Sequence, residues 1–273
     1  MTVSKFSPAP RIAESRMRSC GVAGHNQFMQ GLVEQFDGSW KLSTCSACRW
    51  QALHNTPRDQ EAHLNAVTDD MAEDLNAALL ATGITPRFRA CSFDSYVTGD
   101  DPAKQRVLNI CRKYADGFEK HSKDGRALML MGEIGCGKTH LACAILQHVV
   151  RHEGRTGLIV TAESITQAVT DSFRSNAGPS KSELIADLAS VDLLVIDEVG
   201  FHTPKPGKDF TPSLLHEVID GRYQRVLPTI VVSNQTPDKL QDFIGPRAAD
   251  RLRENGGLLA PFTWSSARSG GAA

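Results

Sequence analysis

Eight residues near the middle of the chain, Gly132-Glu-Ile-Gly-Cys-Gly-Lys-Thr139, carry the spacing G-x-x-x-x-G-K-[ST]. Glycines in that pattern let backbone N–H groups close around phosphate oxygens, and the helix N-terminus behind them adds a favourable dipole. Lys138 is placed to reach the β- and γ-phosphates of ATP, and the Thr139 hydroxyl to coordinate Mg²⁺. Glu133, Ile134, Gly135, Cys136, Gly137 and His140 complete the stretch expected to line the nucleotide. An apolar run precedes the loop and an alanine-rich helical run follows it, which is the setting this motif requires.

Farther on, Leu193-Leu-Val-Ile-Asp-Glu198 ends an apolar run in two carboxylates. In an open α/β sheet that end of a strand is where ligands bind. Asp197 would hold the Mg²⁺ shell there, and Glu198 would orient or deprotonate the attacking water. Alone, such an ending also reads as a solvated turn; the phosphate loop gives it chemistry. A third run, Thr229-Ile-Val-Val-Ser-Asn234, ends in an amide. Beside the two motif strands, Asn234 would position water near the γ-phosphate. The alternative is helix capping, since Ser233, Asn234 and Thr236 all precede a helix starting near Pro237.

A second cluster lies near the amino terminus. Cys20-x₄-His25 and Cys45-x₂-Cys48 offer four ligands of the kind that hold a structural Zn²⁺ tetrahedrally. His54 or His63 would serve in place of His25, and unligated thiols are the other reading. A redox Cys-x-x-Cys would need a βαβ context, which is missing. The residues around the cluster have too little apolar content for a convincing core, so a metal would stabilise what burial cannot.

The elements that must position these groups follow from the texture of the chain. Residues 1–56 show little helical periodicity and form the expected zinc-binding, partner-recognition module. Thr56-Pro57 reads as a helix start, opening a linker helix over residues 57–85 in which Met71, Leu75, Ala78 and Leu79 share a face. From residue 86, apolar runs at 127–131, 158–162, 193–197, 229–234 and 258–263 alternate with helical stretches. That alternation implies an α/β domain, residues 86–268, with a mostly parallel sheet flanked by helices. Residues 269–273 are expected to be a disordered tail. Cys111, Cys136 and Cys143 read as ordinary buried thiols, and Cys136, inside the phosphate loop, is expected to make the ATPase sensitive to oxidation or alkylation.

The totals exclude several classes. With 273 residues, 41% hydrophobic and 22% charged, the composition is that of a soluble globular protein. A net charge of −1 supplies no global field for nucleic acid. No apolar run is long enough for a membrane span or a signal peptide. Seven scattered cysteines fit a reducing cytoplasm.

In order, GEIGCGKTHLACAI, LLVIDEVG, TIVVSNQ, GPRAADRL and TWSSAR resemble the DnaC-type helicase loaders, which belong with the IstB-like branch of the AAA+ ATPases. The likeness covers roughly residues 85–268. It implies a P-loop NTPase of AAA+ type that hydrolyses ATP slowly, with stimulation by DNA or a partner. The resemblance makes Asn234 a sensor of the γ-phosphate and Arg251 an arginine finger reaching a neighbouring subunit's nucleotide, so it also implies self-association. Arg247 and Arg268 occupy positions that also carry arginine in the family. Residues 168–174 resemble the element that touches single-stranded DNA, with Phe173 and Arg174 as contacts, although Phe173 also continues a core stripe with Ile165 and Val169. Phe93 and Tyr96 fall in a segment that resembles the one the family carries ahead of its core, where either would flank the adenine, although packing on the first helix is the simpler role. The implied partners are a replicative DnaB-type hexameric helicase and single-stranded DNA. Phage and prophage forms of the family resemble this layout, with a zinc-ribbon-like start that departs from the helical start of the bacterial loader. Two other functions share the core: a helper of a DNA transposase, and an adaptor gated by nucleotide.

Overall fold

The computed structural model describes residues 6, 11–22, 24–25, 27–58, 60–174, 178–201 and 210–266. Arg268 and the 269–273 tail lie outside the described residues. The chain divides into two compact units, Pro8–Ala81 and, together with the first seven residues, Thr82–Ala273.

The smaller unit opens with three antiparallel strands, β1 (Ile12–Arg18), β2 (Phe28–Glu34) and β3 (Trp40–Leu42), in spatial order β1-β2-β3. Two helices follow, α1 (Ser46–Asn55) and α2 (Glu61–Ala81). This corrects the expected start of a linker helix at Pro57. Thr56 instead closes α1 in extended backbone, at φ −90° and ψ 134°. A proline ring clashes with the helical conformation of the residue before it, so the chain must leave the helix at Thr56. Arg49 on α1 ion-pairs with Asp70 and Glu73 on α2. Asn76 on α2 accepts from the Phe36 N–H at 2.7 Å and donates to the Glu34 carbonyl at 3.3 Å, which ties α2 to the end of β2.

In the larger unit, α3 (Pro102–Asp116) and α4 (Phe118–Asp124) precede the first sheet strand, β4 (Leu128–Gly132). Asp101 caps α3 by accepting from the Ala103 and Lys104 N–H groups, and Pro102 takes the first helical position. The chain then alternates through α5 (Lys138–Glu153), β5 (Gly157–Thr161), α6 (Ala162–Arg174), α7 (Lys181–Leu188) and β6 (Leu193–Val199). It ends with α8 (Thr211–Gln224), β7 (Thr229–Ser233), α9 (Pro237–Ile244), α10 (Pro246–Arg253) and β8 (Leu258–Phe262).

The five strands form one parallel sheet in the order β5-β6-β7-β4-β8. Strand residues alternate between its faces. Met129, Met131, Leu194, Ile196 and Val231 join one core with Ile165, Val169, Leu188, Leu215, Val218 and Leu252 from α6, α7, α8 and α10. Their neighbours Leu128, Leu130, Leu193, Val195 and Ile230 are also fully buried, on the face opposite. Strands buried on both faces read as continuous apolar runs, as β4, β6 and β7 do, whereas the edge strands β5 and β8 bury one face more than the other.

One buried side chain breaks that pattern. Arg222 on α8 is completely buried and donates to five acceptors: the carbonyls of Leu188, Val191, Asp192 and Pro228 and the Thr229 hydroxyl. It joins the turn before β6 to the turn before β7, and so fixes where both strands begin.

Candidate active site and metal centre

The order of the sheet sets the site. β7 lies between the phosphate-loop strand β4 and the acidic strand β6, so all three motif strands end side by side. Their ends open on a cleft of about 600 Å³ lined by Gly135, Lys138, Thr139, Asp197, Glu198 and Asn234 among others. This volume falls in the range of small-ligand sites.

The loop between β4 and α5 needs its glycines. A Cβ on Gly132 would lie 2.2 Å from the Phe262 carbonyl oxygen, and one on Gly137 would lie 2.7 Å from the Tyr96 ring. No side chain fits at either position, so glycine is required where the loop rests on Phe262 and Tyr96. Lys138 is buried, and its Nζ donates to the Gly132 and Glu133 carbonyls at 2.7 and 2.6 Å. The Thr139 hydroxyl donates to Asp197 Oδ2 at 2.9 Å, so the two groups expected around Mg²⁺ are in direct contact. An oxygen pair of this kind suits a hard divalent cation.

Burial dominates the electrostatics. It pushes the Asp197 carboxyl above the ordinary range, opposed by hydrogen bonds from Thr139 and the Glu198 N–H and by the Lys138 charge. Glu198 is also pushed up, by burial first and then by the Asp197 charge. Its backbone sits in the left-handed region at φ 58°, where the β6–β7 register shifts between Ile196 and Val199. Strain in a non-glycine residue at such a place is characteristic of a functional position. Ser233 Oγ donates to the Val199 carbonyl at 2.6 Å and Gln235 Nε2 to the Gly200 carbonyl at 2.7 Å, which extends β6 two residues past Asp197 and holds the distortion.

His140 lines the same cleft, and it and the remaining candidates have further partners. His140 Nε2 lies 2.9 Å from the Ser92 carbonyl oxygen and 3.2 Å from Ser95 Oγ. Cys136 is buried, donates to the Glu133 carbonyl at 2.8 Å and is pushed up by burial. Burial of this kind disfavours the thiolate, the form that reacts with alkylating agents. Arg251 on α10 ion-pairs with Asp220 on α8 and lies over the Tyr223 ring, 5.2 Å from its centroid. On α6, Ile165 and Val169 are fully buried, whereas Phe173 is 69% exposed, and Arg174 pairs only loosely with Asp171 at 3.7 Å. The core stripe therefore stops at Val169.

Three contacts were not foreseen from sequence. Tyr96 and Trp264 both bond to the loop, and Phe262 packs beneath it. These partners are distant in sequence and carry no local signature. The Tyr96 ring meets His140 on α5, and its hydroxyl also reaches the Cys136 carbonyl.

In the smaller unit, Cys20, His25, Cys45 and Cys48 present ligand atoms that all lie within 4.8 Å of one another. His25 Nδ1 is 3.4 Å from Cys20 Sγ, 3.2 Å from Cys48 Sγ and 4.0 Å from Cys45 Sγ. The edges of a zinc tetrahedron with such ligands are about 3.5–3.8 Å, so the donor set fits. The Cys20 hydrogen bond, burial and the neighbouring Cys45 push the Cys48 thiol up to about 12, which marks a crowd of thiols that a cation would relieve. His54 and His63 turn to the carbonyls of Trp50 and Ala52 instead, which leaves His25 as the imidazole of the cluster.

The family described as IstB-like ATP binding protein matches residues 118–249. The replicative helicase loader DnaC of Escherichia coli (strain K12) is 32% identical over 188 residues, which are 69% of this chain and 73% of that protein. The loader of the same name from Buchnera aphidicola subsp. Acyrthosiphon pisum is 29% identical over 202 residues, 74% of this chain and 79% of that protein. Among solved structures, a crystal structure of the DnaC helicase loader superposes with a TM-score of 0.56 at 20% identity, covering 66% of this chain and all of that one. The parallel sheet, the phosphate loop and the paired acids are thus those of an AAA+ ATP-binding fold, and the chain belongs to the DnaC family of replicative helicase loaders.

Proposed function

We propose that this chain is a cytoplasmic ATPase that loads a replicative hexameric helicase onto single-stranded DNA. The observation that carries the reading is the identity shared with a replicative helicase loader over 73% of that protein's length. Supporting it, the cleft joins Lys138, Thr139, Asp197 and Glu198 in one place.

In this reading Lys138 and the loop N–H groups would hold the phosphates, and Mg²⁺, when bound, would supply positive charge against the transferred phosphoryl group. Thr139 and Asp197 would hold that ion. Glu198 accepts the proton of the attacking water, for which its raised pKa suits it, and Asn234 orients that water. Arg251 exchanges Asp220 for the nucleotide of an adjacent subunit, so hydrolysis requires assembly and is slow without it. Phe173, exposed at the end of α6, stacks a base while Arg174 pairs with phosphate. The smaller unit grips the helicase, with Zn²⁺ on Cys20, His25, Cys45 and Cys48 holding β1 to the start of α1.

The test is co-purification with the host replicative helicase, comparing the full chain, Lys138→Ala and the chain without residues 1–81. Retention that survives Lys138→Ala and is lost on truncation is expected. Retention by none of them, from protein that binds ATP, would remove the loader reading. The match to the IstB-like family keeps a second function in view, an ATPase helper of a DNA transposase; binding to duplex DNA with no helicase contact is its signature.

A further inference from the structure

We propose that Tyr96 and Trp264 clamp the apex of the phosphate loop from two sides and are positioning residues that set its affinity for a nucleoside triphosphate. The inference rests on reading Gly132–Thr139 as the phosphate site of ATP.

The Tyr96 hydroxyl and the Trp264 indole N–H donate to one acceptor, the Cys136 carbonyl oxygen, each at 3.1 Å. One donor lies 40 residues before Cys136 and the other 128 residues after it, so two separate segments of the larger unit meet on a single loop atom. A carbonyl oxygen has two lone pairs, and here both are engaged. The peptide that carries this carbonyl also carries the Gly137 N–H. In a planar trans peptide the two point in opposite directions. Holding the carbonyl on the protein side therefore aims the Gly137 N–H the other way, as a cradle of N–H groups around phosphate requires.

The surroundings leave the loop little alternative. Gly137 is in the left-handed region at φ 96°, flush against the Tyr96 ring. Trp264 packs on Phe262 with ring centroids 5.0 Å apart, and the Phe262 backbone lies directly under Gly132. Both ends of the loop thus rest on residues 262–264. Upstream, the Tyr96 ring meets His140 edge-on at 5.3 Å, and His140 is itself held by Ser92. Burial pushes the Tyr96 phenol well up, so it remains a donor at neutral pH.

Tyr96→Phe and Trp264→Phe keep an apolar ring and remove the donor, which separates hydrogen bonding from packing. Both single variants, the double variant and Lys138→Ala would be titrated with a non-hydrolysable Mg–ATP analogue by calorimetry, with the thermal midpoint of each nucleotide-free protein measured in parallel. Each single loss should raise Kd about fivefold, the equivalent of one ordinary hydrogen bond. The double loss should exceed the product of the singles, because one donor still holds the carbonyl until both are gone. Thermal midpoints should move little. Unchanged affinity in the double variant, with binding lost in Lys138→Ala, would overturn the clamp. A lowered midpoint with unchanged affinity would overturn it too, by assigning both bonds to folding alone. Full binding by Lys138→Ala would instead remove the phosphate-site reading, and the clamp with it.

Discussion

Asp197 and Glu198 stand next to each other at the end of a strand, and burial raises both. A buried carboxylate costs stability unless a cation or donors compensate it. For Asp197 the folded pKa is above the unfolded one, so between those values the folded state binds more protons. Its contribution to stability therefore falls as pH rises through that window and is least favourable at neutral pH. Asp197→Asn, which keeps an acceptor for Thr139, should raise the thermal midpoint by about 2–4 °C at pH 7 without Mg²⁺ or nucleotide. That gain should shrink as pH is lowered, and Mg²⁺-dependent hydrolysis should be lost. A lower midpoint at pH 7 would show that the charge is compensated within the fold. Glu198→Gln should retain ATP and reduce turnover by on the order of 10²-fold, the contribution of a positioned base. The wild-type rate should fall on the acid side with a midpoint above that of an ordinary glutamate, and a midpoint at or below it would exclude Glu198 as the titrating base.

At the scale of elements, two devices fix where the strands and helices begin. Arg222 holds the turns before β6 and β7 through five hydrogen bonds, although burial pulls its pKa down to about 9. Arg222→Met leaves those carbonyls unpaired and should cost about 3 kcal/mol, read as a fall of roughly 6–12 °C in thermal midpoint. A near-neutral result would mean that the turns hold themselves. In the smaller unit, Cys20 follows β1 and Cys48 lies in the first turn of α1, so the Cys/His cluster joins sheet to helix. Cys48→Ser should reduce bound zinc from one equivalent to none and expose residues 8–81 to protease while the larger unit stays resistant. Full zinc content in that variant would rule out this ligand set. Legibility divides along the same line. The phosphate loop and the five strands could be read because their signals are local: four fixed positions within eight residues, and short apolar runs. Arg222 could not, since an arginine on a helix reads as a surface residue until the fold surrounds it. Nor could α1, because the Cys-x-x-Cys turn passes straight into a helix and Pro57 marks the end of that helix, where its sequence also suits a beginning.

For the whole molecule, the ATP site and the Cys/His cluster lie in different compact units. That separation suits a protein in which one part senses nucleotide and another holds a partner. No described helix is long and apolar enough to cross a membrane. Arg251 is paired with Asp220 within its own chain, and under the proposed function it is the group that a neighbouring copy's nucleotide would recruit. The most direct measurement of the central claim is helicase loading itself: unwinding of an oligonucleotide annealed to circular single-stranded DNA by the host replicative helicase, with and without this chain and ATP. The full chain should speed the onset of unwinding in an ATP-dependent manner, and Lys138→Ala should not. Unwinding unaffected by the wild-type protein, under conditions where it binds ATP, would contradict a loader and leave the IstB-like helper as the function to test.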